Sequence, residues 1–201
     1  MSEKRTRSTP KPPRFLAAMV AVAVVLILGL AWRMDWFSAP ATATVGGPFT
    51  LVESGGKNVS DTDFRGKLML IYFGYTFCPD ICPTTLGSVA RAFDQLDAEQ
   101  RKQIVPIFIT VDPERDTADQ MGQYVGNFMP DLIGLSGSPE QIQKVMLSFR
   151  VYARKAEQNG PNYSVDHSSV LYLMDREGKF VRPFSGSISP NDLAAALKKA
   201  L

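Results

Sequence analysis

The stretch Leu68–Leu86, LMLIYFGYTFCPDICPTTL, decides the reading of the chain. Leu68 to Phe73 is apolar without alternation, the pattern of a central strand buried on both faces. Gly74 turns the chain, a loop carries Cys78 and Cys82, and Pro83 marks the start of a helix. Proline has a fixed φ and no N–H, so it suits the first helical position. It also pushes the residue before it out of the helical region. Cys82 is therefore expected as a cap residue at the positive end of the helix dipole, where a thiolate is stabilised and its pKa falls. These are the only 2 cysteines in 201 residues, and they share one loop between a strand and a helix.

Working outward, Phe49–Val52 and Lys57–Ser60 flank Gly55-Gly56 and predict a β-hairpin. After Pro83, Leu86, Val89, Ala90, Phe93 and Leu96 follow the spacing of an amphipathic helix. Ile104–Val111 (IVPIFITV) predicts a second buried strand, with Pro106 implying a bulge or a near-edge position. Helices are expected over Thr117–Phe128, capped by Asp116 or Thr117, and over Pro139–Phe149, started by Ser138-Pro139. Ser169–Met174 and Lys179–Pro183 flank Asp175–Gly178 and read as a hairpin. Ser189-Pro190 starts a last helix to Leu201. This order predicts an α/β fold, a central mixed sheet with flanking helices on both faces. Ligand sites in such sheets lie at the carboxyl ends of the parallel strands. The cysteine loop and Asp112-Pro113-Glu114 both follow such ends and should be neighbours.

The net charge of +2 conceals an uneven distribution. Lys4, Arg5, Arg7, Lys11 and Arg14, against Glu3, place the basicity in the first 14 residues and leave the remainder acidic. That argues against nucleic acid as a partner. Residues 15–33 open with an uncharged apolar run, Phe15 to Trp32, bracketed by Arg14 and Arg33, which is long enough to span a bilayer and longer than the apolar core of a secretory signal. A single N-terminal transmembrane helix is expected, with the basic tail 1–14 in the cytoplasm. Residues 34–46, which include SAPATATVGGP, read as a linker, and residues 47–201 as the domain. The tail is too short, and too poor in amphipathic periodicity, for a mitochondrial presequence. The expectation is a bacterial inner-membrane protein whose domain lies in the periplasm.

The site candidates are Cys78, Cys82 and the only histidine, His167. A structural disulfide across so small a loop would remove little unfolded-state entropy. A thioredoxin-type redox pair has two intervening residues, and here there are three. A peroxiredoxin would carry Thr three residues before its reactive cysteine, whereas Pro79 and Tyr75 stand there. Two thiolates and an imidazole make a soft donor set that selects copper, especially Cu(I). A structural zinc site would need a fourth ligand, which Asp80 or Asp166 would have to supply. Asp112, at a strand's carboxyl end, is a candidate supporting residue. Asp116 and Asp119 read as helix capping.

GYTFCPDICPTTL, VDPERDT (Val111–Thr117) and DHSSVLYLMDREGKF together resemble the Sco/SenC family. The resemblance covers roughly Phe49 to Leu201 and implies a thioredoxin-like fold behind a membrane anchor. It implies copper, as Cu(I) and Cu(II), bound by Cys78, Cys82 and His167. It also implies a role in assembling cytochrome c oxidase, with the dinuclear Cu(A) site of subunit II as target and an upstream periplasmic copper donor. The same two sulfurs would serve a thiol–disulfide oxidoreductase that keeps the Cu(A)-site cysteines reduced. His167 separates the two, because a dithiol reductase needs no imidazole ligand.

Overall fold

The computed structural model describes residues 14–33, 45–156 and 163–201. The chain divides into two units, Met1–Ala43 and Thr44–Leu201. In the first, helix α1 (Arg14–Arg33) covers the run expected as an anchor. Its described side chains, among them Met19, Val22, Leu26 and Leu30, are exposed. Among the described residues no helix is long and apolar enough to cross a membrane, so the fold by itself does not establish the anchor. The basic tail through residue 13 and the linker through residue 44 lie outside the described residues.

In the second unit the elements follow as β1 (Thr50–Glu53), β2 (Lys57–Ser60), β3 (Leu68–Gly74), α2 (Ile81–Phe93), α3 (Ala98–Lys102), β4 (Ile104–Thr110), α4 (Ala118–Gly126), β5 (Ile133–Ser136), α5 (Pro139–Phe149), β6 (Ala153–Lys155), β7 (Val165–His167), β8 (Val170–Met174), β9 (Phe180–Ser185) and α6 (Pro190–Ala200). Seven strands form one mixed sheet in the order β2-β1-β5-β4-β3-β8-β9. Strands β3, β4 and β5 are parallel, and β1 and β8 run against them.

The unbroken apolar run of β3 is explained by its place. Every residue is buried, and successive side chains enter opposite cores. Leu68, Leu70 and Tyr72 pack with Leu86, Val89 and Phe93 of α2, Met121 and Val125 of α4, and Leu193 and Leu197 of α6. Met69, Ile71 and Phe73 pack with Leu51 and with Ile142, Val145 and Phe149 of α5. Each such fully buried side chain stabilises by about 1.5–3 kcal/mol. Ser138 and Ser189 cap α5 and α6 through the backbone N–H groups of Gln141 and Asp192, each followed by the expected proline. The turn before β9 has Gly178 at φ 72, a left-handed conformation that favours glycine.

Three expectations need correction. Pro106 marks neither a bulge nor a near-edge strand: β4 is central in the sheet, and the β3–β4 register runs unbroken from Leu68↔Ile104 to Gly74↔Thr110. The β4–β5 ladder starts only at Ile107↔Ile133, one residue later, so the missing N–H interrupts nothing on that side. Asp116 does not cap α4; Thr117 does, in a capping box with Gln120. Asp119 instead accepts from the Ser54 hydroxyl and the Gly55 N–H, tying α4 to the β1–β2 turn. Strand β5 was not anticipated. The apolar strand that follows His167 lies in the main sheet as β8, and His167 itself ends β7 of a separate two-stranded sheet of β6 and β7.

Candidate metal centre

The cysteine loop leaves the carboxyl end of β3 and enters α2 earlier than the proline implied. The helix begins at Ile81, with Asp80 in the cap position at φ −142, and Pro83 is its third residue. The first helical N–H groups have no intrahelical acceptor, so proline costs nothing there. Cys82 therefore heads the buried stripe that continues through Leu86, Val89 and Phe93, and is fully buried, while Cys78 on the loop is half-buried. The Cys82 backbone N–H donates to Cys78 Sγ at 3.3 Å, so the outer sulfur sits over the first turn of the helix. Gly74 makes room behind the inner one: a Cβ there would lie 2.5 Å from Cys82 Sγ and 2.8 Å from the Phe108 ring.

The histidine arrives from the opposite side. In the β6–β7 pair, His167 faces Ala153 across the ladder. Its Nε2 lies 3.4 Å from Cys82 Sγ. Its Nδ1 lies 3.1 Å from the Ser168 carbonyl, which can only accept, so Nδ1 carries the proton and Nε2 presents a lone pair to the sulfurs. The rings of Tyr75 and Tyr72 meet the imidazole edge-on at 5.8 and 6.3 Å. The ligand atoms of Cys78, Cys82 and His167 all lie within 4.8 Å of one another, and among the described residues they form the one such group of acidic, cysteine or histidine side chains.

The two thiols differ sharply. Donation from the Cys82 thiol brings the Cys78 pKa down to about 4 against the opposing effect of burial, with further donation from the backbone N–H groups of Cys82 and Asp80. The Cys82 thiol, expected from sequence to be lowered at the helix end, is instead pushed upward by the neighbouring Cys78 sulfur and by burial. Cys78 is thus the thiolate of the pair, and Cys82 holds the shared proton. Burial, with Cys82 beside it, also raises Tyr72, whose hydroxyl lies 3.9 Å from Cys82 Sγ, so it remains a neutral donor.

None of the expected acidic residues joins the group. Asp80 is exposed and accepts from the Thr84 hydroxyl at 3.3 Å. Asp166 is exposed on β7, opposite Arg154. Asp112 is buried, as a neighbour of the cysteine loop should be, and accepts from the Tyr163 hydroxyl at 2.7 Å rather than meeting the sulfurs. Asp116, read from sequence as a cap, is fully buried and accepts from Thr76 of the cysteine loop. Burial of that carboxyl raises its pKa. Arg115 and Tyr163 were not singled out from sequence; the arginine between two aspartates of VDPERD was the available signal.

Two thiols and an imidazole lone pair, with no carboxylate in the group, make a soft three-donor site. The set lacks the fourth protein ligand of a closed structural zinc site. The comparisons agree with this chemistry. A sequence model of the SCO1/SenC family matches residues 38–201. The mitochondrial protein SCO1 homolog 1 of Arabidopsis thaliana is 45% identical over 159 residues, which are 79% of this chain and 48% of that protein. The chain spans about half the length of such curated relatives. The copper-bound structure of Bradyrhizobium japonicum ScoI superposes with a TM-score of 0.73 at 46% identity, covering 78% of this chain and 99% of that one. BsSco, described as a member of the Sco family of cytochrome c oxidase assembly proteins with a disulfide switch, matches with a TM-score of 0.64 at 28% identity, covering 78% and 94% of the two chains. The second unit accordingly has the thioredoxin-like fold of the Sco structures, and the chain belongs to the SCO1/SenC family.

Proposed function

We propose that this chain is a membrane-anchored copper metallochaperone. It takes copper from an upstream periplasmic donor, holds it through Cys78, Cys82 and His167, and delivers it to the Cu(A) site of cytochrome c oxidase subunit II. The observation that carries the reading is the meeting of three soft donors, from two distant segments, within 4.8 Å. A carrier must release its cargo, and three donors leave one face of the metal for an incoming sulfur or imidazole. Cys78, half-buried and ionised, is the donor on the solvent side. The copper-bound relative and the naming of the family after oxidase assembly support the cargo and the target. The uncharged run within α1 and the basic residues before it support an anchor with the second unit in the periplasm of a bacterium.

The asymmetry of the thiols favours a second reading, a dithiol reductase. Cys78 thiolate would attack a partner disulfide and release one partner sulfur. Cys82, losing its proton, would then attack Cys78 and release the other. The partner gains two electrons and this chain closes a Cys78–Cys82 disulfide. His167→Ala separates the readings, because it removes a metal ligand and leaves both thiols. In a strain lacking this protein, the His167→Ala chain should fail to restore oxidase assembly while still reducing a test disulfide. Full restoration by His167→Ala, beside failure of Cys78→Ser, would mark the reductase instead.

A further inference from the structure

The turn Asp112–Asp116 touches both halves of the three-donor group, although it supplies no donor. Two backbone bonds to the Asp112 carbonyl, from the N–H of Arg115 at 3.2 Å and of Asp116 at 3.0 Å, close it on itself. One end grips the cysteine loop. Asp116 Oδ1 accepts from the Thr76 hydroxyl at 2.6 Å, and Oδ2 from the Thr76 N–H at 3.0 Å and the Thr110 hydroxyl at 2.7 Å. Thr76 is two residues before Cys78. The other end grips the histidine arm. Asp112 Oδ1 accepts from the Tyr163 hydroxyl at 2.7 Å, and its Oδ2 accepts from Arg115 Nε at 2.5 Å. Arg115 Nη1 donates to the Tyr163 carbonyl at 2.8 Å, and the guanidinium lies 3.6 Å over the Tyr163 ring. Tyr163 is four residues before His167.

We infer that this turn is a positioning bolt: Asp116, through Thr76, and Asp112 with Arg115, through Tyr163, hold the histidine arm against the cysteine loop at the separation a metal requires. The main sheet holds the arm from one side alone, where Leu171 of β8, four residues after His167, pairs with Tyr72 of β3. Among the described residues β7 itself pairs with β6 and not with the main sheet, so the segment before His167 needs another tie to the cysteine loop. Direct ties also link the segments, from the Val165 N–H to the Tyr75 hydroxyl at 3.2 Å, between the Tyr72 and Ser169 hydroxyls at 3.3 Å and between Cys82 Sγ and His167 Nε2 at 3.4 Å, but none of them involves a carboxylate or a guanidinium. The bolt adds charge-assisted bonds to carboxylates that are almost wholly buried, where their partners cannot be replaced by water without large cost. Arg115 and Tyr163 are positioning residues, acting through the arm that carries His167. The consequence for copper rests on the function proposed above, whereas the geometry does not. A loosened arm withdraws the nitrogen and leaves the sulfurs, so Cu(II), which favours nitrogen, should suffer more than Cu(I).

The test uses the full chain in detergent, first without metal. Tyr163→Phe deletes only the hydroxyl that Asp112 accepts from. Arg115→Lys keeps the charge and loses the planar fork and the stacking. Amide hydrogen exchange of peptides covering 163–168 should quicken about tenfold in either variant, as expected for the loss of one charge-assisted bond, with peptides covering 76–82 unchanged. Thr76→Val should produce the reverse pattern. Copper is then added: nitrogen hyperfine coupling in the Cu(II) paramagnetic resonance spectrum should weaken in Tyr163→Phe while Cu(I) affinity holds. Unchanged exchange at 163–168, or an equal rise throughout the folded unit, would overturn the inference. Nitrogen coupling absent from the wild-type chain would instead sink the copper reading, and the exchange data would still decide the bolt. If Arg115→Lys fails to fold, Tyr163→Phe, which leaves every charge in place, carries the test.

Discussion

Replacing Gly74 by alanine should injure the site through one atom. A Cβ at this position would sit 2.5 Å from Cys82 Sγ, and 2.8 and 3.1 Å from two atoms of the Phe108 ring. The backbone is not strained there, because Gly74 is absent from the residues of positive φ. The whole effect is therefore steric. Ordinary contact requires the sulfur to retreat by about 1 Å, and a close-packed core gives it little room to do so. Overpacking of this kind costs about 1–3 kcal/mol. If copper binding must draw the sulfur back towards Cys78 and His167, the same strain falls on the bound state and affinity drops by about 5- to 150-fold. Gly134→Ala is the control. Its Cβ would meet the Met121 carbonyl oxygen at 2.8 Å, also closer than side chains tolerate, with none of the three donors among its nearest atoms. Urea unfolding of the metal-free chain should show both variants destabilised. Competition with a chromophoric Cu(I) chelator should show weakened binding in Gly74→Ala alone. Wild-type copper affinity in Gly74→Ala, at a stability cost matching Gly134→Ala, would refute the reasoning.

Three further outcomes follow from the same structure. Iodoacetamide should label the metal-free chain once, at Cys78, and already at about pH 5, where an ordinary thiol is inert, because the Cys78 pKa is brought down to about 4; labelling that waits for alkaline pH, or falls on Cys82, contradicts this. A fully oxidised chain, with both sulfurs in a disulfide confirmed by thiol titration, should retain no copper, since the metal binds thiolates; retention would show that the sulfurs are not the ligands. An alkaline phosphatase fused within residues 34–46 should be active if α1 is an anchor and the second unit periplasmic; an inactive fusion there, with an active one at residue 10, reverses the topology.

The parts of the fold that sequence made legible are those where one local signal dominates. The unbroken apolar run Leu68–Phe73 read as a strand buried on both faces, and β3 is fully buried in the interior of the sheet. Ser138-Pro139 and Ser189-Pro190 combine a cap with a proline at the first helical position, and both helices begin there. Strand β5 was hidden because Ile133–Ser136 has four residues, one of them glycine, and owes its existence to ladders with β4 and β1. The β6–β7 pair has three residues per strand, too few for any periodicity, and is defined by tertiary contact. The donors themselves were legible because each is scarce: two cysteines and one histidine in the whole chain. The supports were not. Asp116 has the local pattern of a helix cap, and nothing local reveals that Thr76, forty residues earlier, captures it. Arg115 and Tyr163 meet only after β4 and the histidine arm are in place.

The central claim is that one metal is held by two sulfurs and one imidazole nitrogen. X-ray absorption at the copper edge of the full chain, loaded with one equivalent of Cu(I), tests it most directly, with His167→Ala measured beside it. Two sulfur scatterers and one nitrogen are expected, with the imidazole pattern lost in the variant. A wild-type spectrum of sulfur alone, or an imidazole signature that survives His167→Ala, would contradict it.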